Sequence, residues 1–194
     1  MSLLRAAFVR AFLRLFPRRE LRGFRIVFTD LDADRAVVLS RLDASFALIE
    51  HTDLRRYWLL KRYLREVVVW GGHYSAAVPP RAIQLSRLHF LEDATLELAS
   101  VLIHEVTHLQ ITHYGIPYHE KLRERIERRC VREQAEFLRA QGEEGVLIAD
   151  VYEKALDSAW WTDQAHVADI ERLVTDADMP RWLIPLMSLG RRRT

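Results

Sequence analysis

Cysteine is almost absent from this chain. Cys130 is the only one in 194 positions, so no internal disulfide framework can form. A single free thiol fits a reducing, cytoplasmic setting. Long apolar runs are missing too. No stretch of 18 uninterrupted apolar residues occurs, and no conventional transmembrane helix is expected. Charge of one sign is also lacking: 29 basic side chains stand against 27 acidic ones, a net +2, which argues against a general nucleic-acid binder. There is no internal repeat and no low-complexity linker. What is present, 49% hydrophobic and 29% charged residues, suits one globular domain with a buried core.

The two ends are apolar and basic. Met1 to Phe16 is interrupted by Arg5, Arg10 and Arg14 and lacks the uncharged core and cleavage site of a secretory signal, so none is expected. Ser2 to Phe16 reads as a basic amphipathic helix stopped by Pro17. Two uses are open to it. It can pack its Leu/Phe face on the body, or lie on a membrane surface with Phe8, Phe12, Leu13 and Phe16 at the acyl boundary. Arg18, Arg19 and Arg22 would then add attraction to anionic lipid. At the other end, Trp182, Leu183, Ile184, Leu186, Met187 and Leu189 precede Arg191, Arg192 and Arg193, a second membrane-surface or partner contact. The expected organisation is a basic N-terminal helix over 1–22, one domain over 23–178 and an apolar, basic tail over 179–194. The expected location is cytoplasmic, with peripheral membrane contact through residues 2–16 and the tail.

Between the ends the pattern predicts an α+β, mainly helical fold. Phe24 to Phe28 alternates as a short strand does, and Asp30 to Asp34 can cap the next helix. Asp34 to Leu64 suits one or two helices, broken near His51-Thr52-Asp53. Val67 to Trp70 is a β-branched strand closed by Gly71-Gly72. Ile83 to Phe90 opens in strict alternation, as an edge or half-buried strand would. Helices are expected over Ala94 to Tyr114, with Asp93 or Thr95 as cap and Gly115 as stop, and over His119 to Ala140. Gly142 and Gly145 read as a turn before a third helical segment, Asp150 to Val174, which carries Trp160-Trp161 as packing residues.

The chemistry concentrates in His104-Glu105-Val106-Thr107-His108. On a helix, residues four apart share a face, so His104 and His108 can aim two imidazoles at one metal ion. Glu105 sits about 100° round the helix, where a carboxylate reaches a metal-bound water without being a ligand. Catalytic zinc takes three protein ligands and a water, so a third ligand is needed. His113, five residues after His108, points elsewhere. The longer motif with a glycine three and a histidine six residues after the second histidine is excluded by Ile111 and Tyr114.

The next helix offers better candidates. With Leu122 at 0°, Ile126, Cys130, Val131, Gln134, Ala135, Phe137 and Leu138 fall in one arc, and Arg125, Arg128, Arg132, Glu136 and Arg139 lie opposite. Beyond the first turn Glu127 is the one charged residue inside the arc, at about 140°, while Glu133 lies near its edge at about 20°. A core-facing carboxylate needs its charge compensated. A metal would do so, and so would an arginine such as Arg123. Glu127 is taken as the third ligand and Glu133 as the alternative. His73, His89 and His166 are isolated and read as structural, as are His113, Tyr114 and His119 after the motif; Cys130 reads as a small packing residue.

On these residues the stretch Val67 to Ala140 resembles the zincin metallopeptidases, and within them the gluzincins, in which a glutamate on a later helix completes the metal site. Glu127 follows His108 after 18 intervening residues, similar to the aminopeptidase branch, although no N-E-x-x-x-D or G-x-M-E-N sequence is present. The resemblance implies one Zn²⁺ per chain held by His104, His108 and Glu127, and hydrolysis of a peptide or protein substrate by a water that Glu105 activates. It also implies an edge strand beside the motif helix, with Ile83 to Leu88 in that position. The alternative is a catalytically weak zincin-like metal-binding domain with a regulatory or partner-docking role. Glu105 argues against it, because holding a metal does not require that carboxylate.

Overall fold

The computed structural model describes residues 15–29, 34–72, 75–78, 80–91 and 93–158. The N-terminal helix up to position 14, His73, His166, Trp160-Trp161, the third helical segment beyond 158 and the C-terminal tail lie outside the described residues. The fold is α+β, about 64% helical, with one five-stranded mixed sheet.

The sheet begins one strand earlier than expected. Arg18–Leu21 (β1) pairs antiparallel with Phe24–Phe28 (β2), Leu21 opposite Phe24. Arg22 and Gly23, both at positive φ (51° and 79°), form the two-residue turn, the geometry whose twist suits a hairpin. The arginines placed with the N-terminal helix therefore belong to a strand and its turn. Arg22 meets Asp43 at 2.5 Å and Glu50 at 2.7 Å instead of facing solvent.

Two helices follow. Asp34 caps Arg35–Thr52 (α1), accepting from the N–H groups of Ala36 and Val37. Asp53 breaks the run and caps Leu54–Tyr63 (α2) through the N–H of Arg56. The chain then enters Glu66–Trp70 (β3), parallel to β2. Its Val67, Val68 and Val69 are all buried, as a continuous β-branched run between two paired neighbours should be.

Ala76–Val78 (β4) and Ala82–Ser86 (β5) complete the order β1-β2-β3-β5-β4. The strand expected at the edge, β5, is thus interior: it is parallel to β3 and covered on its other side by antiparallel β4. The short A-A-V segment is the edge, and its length hid it in the sequence. The alternation also stops sooner than expected, at Ser86, whose side chain bonds the Gly72 carbonyl and the Leu88 N–H and turns the chain into Leu88–Leu91 (α3).

Thr95–His113 (α4) carries the motif and is the central helix. It packs against α1, α2, β4, β5 and the helix after it. Leu98, Ala99, Leu102, Ile103, Val106 and Leu109 are buried, and each large side chain contributes roughly 1.5–3 kcal/mol. Its N-cap is Ala94, with no side-chain cap bond. Asp93, an expected cap, is instead bonded to His89 Nδ1 at 2.5 Å, while Arg41 of α1 bonds its carbonyl. The C-terminus closes on Gly115 at φ 77°, with the N–H of Ile116 on the Ile111 carbonyl and that of Gly115 on the Thr112 carbonyl.

Glu120–Arg139 (α5) runs along α4 and buries the arc expected of it. Glu143–Ala155 (α6) follows, ending in a 3₁₀ turn over Leu156–Ser158. Gly142 precedes α6 at φ 93°, but Gly145 is not in a turn. It lies inside the helix, where glycine is needed because a Cβ would sit 1.9 Å from the Leu138 carbonyl oxygen of α5. Among the described residues no helix is long and apolar enough to cross a membrane.

Candidate metal centre

The i,i+4 spacing on α4 places the rings of His104 and His108 side by side, with their Nε2 atoms 3.2 Å apart. From α5, Glu127 Oε2 approaches both, at 3.4 Å from His104 Nε2 and 3.3 Å from His108 Nε2. Three donor atoms thus form a nearly equilateral triangle. Tetrahedral ligation with bonds of about 2.0–2.1 Å separates donors by about 3.3 Å, the same spacing. Glu127 is 1% exposed, and no hydrogen-bond donor among the described residues satisfies its Oε2. A buried carboxylate oxygen left open beside two imidazole nitrogens fits a cation at that point.

The electrostatics agree. Burial alone would raise the Glu127 pKa. The two imidazoles of His104 and His108 that face it outweigh burial and hold the carboxyl well below the usual range. Burial likewise lowers His104, but Glu127 and Glu105 more than offset it and the ring is shifted upward. The cluster therefore favours a proton shared between the Glu127 carboxylate and the imidazoles.

His104 and Glu127 are each held from behind. His104 Nδ1 lies 3.1 Å from Gln134 Oε1 and donates to it, which turns Nε2 toward the triangle. Gln134 Nε2 in turn donates to Ser100 Oγ at 3.0 Å, and Ser100 donates to the Glu97 carbonyl at 2.7 Å. Tyr118 donates its hydroxyl to Glu127 Oε1, leaving Oε2 for the triangle, and sets its ring edge-on to His108. The Arg123 guanidinium lies over the Tyr118 ring, 5.4 Å from its centroid. Gln134 stood in the apolar arc with no role attached; a polar residue at that angle was the available signal. Tyr118 lies in the loop before α5 and had none.

Glu105 is buried on α4, and burial raises its pKa, with His104 and His108 opposing and Glu127 adding to the rise. Glu133, the alternative ligand, is elsewhere. Its Oε2 accepts from Arg55 at 2.9 Å and from Arg56 at 2.8 Å, and its Oε1 from Arg129. His113 packs against Tyr63 and Tyr114, and the Tyr114 hydroxyl meets that of Tyr63 at 3.2 Å, so both face α2. His119 is the N-cap of α5. Cys130 gives a second possible grouping: ligand atoms of His104, His108 and Cys130 lie within 4.8 Å of one another. The Glu127 triangle is the tighter of the two.

Comparison with protein-family models, with curated proteins and with solved structures finds no match for this chain.

Proposed function

We propose that the protein is a zinc-dependent metallopeptidase of zincin type, with His104, His108 and Glu127 as ligands and Glu105 as general base. The observation that carries this reading is the donor triangle of 3.2, 3.3 and 3.4 Å with a general-base carboxylate adjacent in sequence. Zinc, when bound, supplies Lewis acidity, acidifying a coordinated water and polarising a peptide carbonyl. Glu105 takes the proton from the attacking water and delivers it to the leaving amine. Burial raises its pKa, the direction that favours a carboxylate able to accept a proton and return it. Gln134 and Tyr118 keep His104 and Glu127 in register for this. The outer side of β4 has no described strand paired to it, and β4 packs against α4; an extended peptide adding there would lie beside the motif helix.

The test has two parts. Purified protein should hold about one zinc per chain. Glu105→Gln should keep that zinc and lose roughly 10²–10⁴-fold in hydrolysis of a peptide library. Full activity in the Glu105→Gln protein would sink the mechanism, and failure to hold zinc after reconstitution would remove the metal.

A further inference from the structure

Cys130 lies three residues beyond Glu127 on α5, fully buried, with its Sγ against the same pair of imidazoles that Glu127 approaches. The independent sign of a ligand is Glu127 Oε2, buried, without a donor among the described residues, and aimed at those two nitrogens. The same two imidazoles thus have the Glu127 carboxylate at 3.3–3.4 Å and the Cys130 thiol within 4.8 Å.

We propose that Cys130 is a fourth protein donor, so that the centre has a closed four-ligand state and an open three-ligand state. The proposal rests on the zinc reading above and adds a control on it. Zinc accepts thiolate at about 2.3 Å; structural sites use four protein ligands, whereas catalytic sites keep one position for water. Tetrahedral geometry with one such bond puts sulfur about 3.6 Å from each nitrogen, within a side-chain adjustment of about 1 Å from the 4.8 Å limit seen here. On closing, the metal–sulfur bond forms, the thiol proton passes to solvent and the water at that position departs; opening reverses each change. The closed state is latent because hydrolysis needs the position that sulfur occupies.

Cobalt(II) is the probe, loaded into the full chain after chelation. Bound Co²⁺ in the parent protein should show visible ligand-field bands together with a near-ultraviolet thiolate charge-transfer band. Cys130→Ser should lose the near-ultraviolet band while keeping about one equivalent of Co²⁺, and with zinc it should hydrolyse peptides faster than the parent. Ligand-field bands without a charge-transfer band in the parent would overturn the Cys130 proposal and leave the three-ligand reading standing. A near-ultraviolet band that survives Cys130→Ser would overturn it as well, because no other cysteine exists to produce it. Absence of any cobalt binding in the parent would remove the metal reading itself. The decisive measurement is on the unmutated chain, so it does not depend on a variant folding.

Discussion

Glu127 and Glu133 are two buried glutamates six residues apart on one helix, yet they do unlike things. Glu127 faces two histidines and a tyrosine, with one carboxylate oxygen left open. Glu133 faces Arg55, Arg56 and Arg129, with both oxygens occupied. Burial is therefore not what marks a ligand. The neighbouring helix decides: α4 offers Glu127 imidazoles that can share a metal, whereas α2 offers Glu133 guanidinium groups that already neutralise it. The first arrangement is a carboxylate left open between two imidazoles, and the second is a clasp between helices.

The sharpest way to break this contrast is to remove each carboxylate in turn. Glu127→Ala should weaken zinc retention by more than the roughly 100-fold that marks loss of an outer partner, read by competition with a chelator. Glu133→Gln should leave zinc affinity unchanged and cost about 3 kcal/mol in stability, read by denaturant unfolding. The figure is at the low end for a broken buried pair because Arg56 keeps Asp53 and Glu136. Exchange of the two outcomes would move the third ligand to Glu133.

A smaller effect belongs to the groups behind the triangle. Gln134→Leu removes the acceptor on His104 Nδ1, and Tyr118→Phe removes the donor to Glu127 while keeping the ring. Each should lower zinc affinity by roughly 10–100-fold without loss of fold. Unchanged affinity in both would mean that the ligands hold themselves.

The sequence showed much of this contrast before any coordinates. Helical spacing put His104 and His108 on one face, and the α5 arc separated Glu127 from the exposed arginines. It ranked Glu127 above Glu133 by their angles on the arc, but could not see that Glu133 meets arginines, because that depends on the side chains α2 presents, a matter of tertiary packing. The same limit explains Tyr118 and Gln134, whose roles come from contacts across elements. It also explains β4, too short to declare itself, and Gly145, whose glycine signalled a close approach of two helices and not a turn. Arg18 and Arg19 were hidden for another reason: basic residues in a strand read by composition as part of a basic end.

Gly145→Ala offers a control on the first comparison. Its Cβ would strike the Leu138 carbonyl, so α6 must shift from α5 at a cost of about 1–3 kcal/mol. Zinc affinity should not change, since neither carboxylate is touched. A drop in affinity matching that of Glu127→Ala would show that metal retention merely reports stability, and the ligand assignment would lose its support.

The smallest effect is acid dependence, and its sign separates the clasp from ordinary packing. Burial raises the Glu133 pKa, but the Arg55 hydrogen bond and the charges of Arg56 and Arg129 outweigh it, leaving the group below its usual 4.5. A folded-state pKa below the unfolded one means that the folded protein binds fewer protons. The resulting stability is fully present above the unfolded value and is lost as pH falls through the folded one. The amide introduced by Glu133→Gln does not titrate, so the parent's advantage over that variant should be greatest near neutrality and shrink below about pH 4.5, by on the order of 1 kcal/mol for each unit of depression. Other depressed carboxylates, Glu153 beside Arg139 among them, titrate in both proteins and largely cancel in the difference. In metal-free protein the histidine triangle is the same in parent and variant and cancels likewise. A stability difference that stayed constant from pH 7 to pH 3 would show that Glu133 acts through its shape and not its charge, and the distinction between a neutralised carboxylate and an open one would then rest on Glu127 alone.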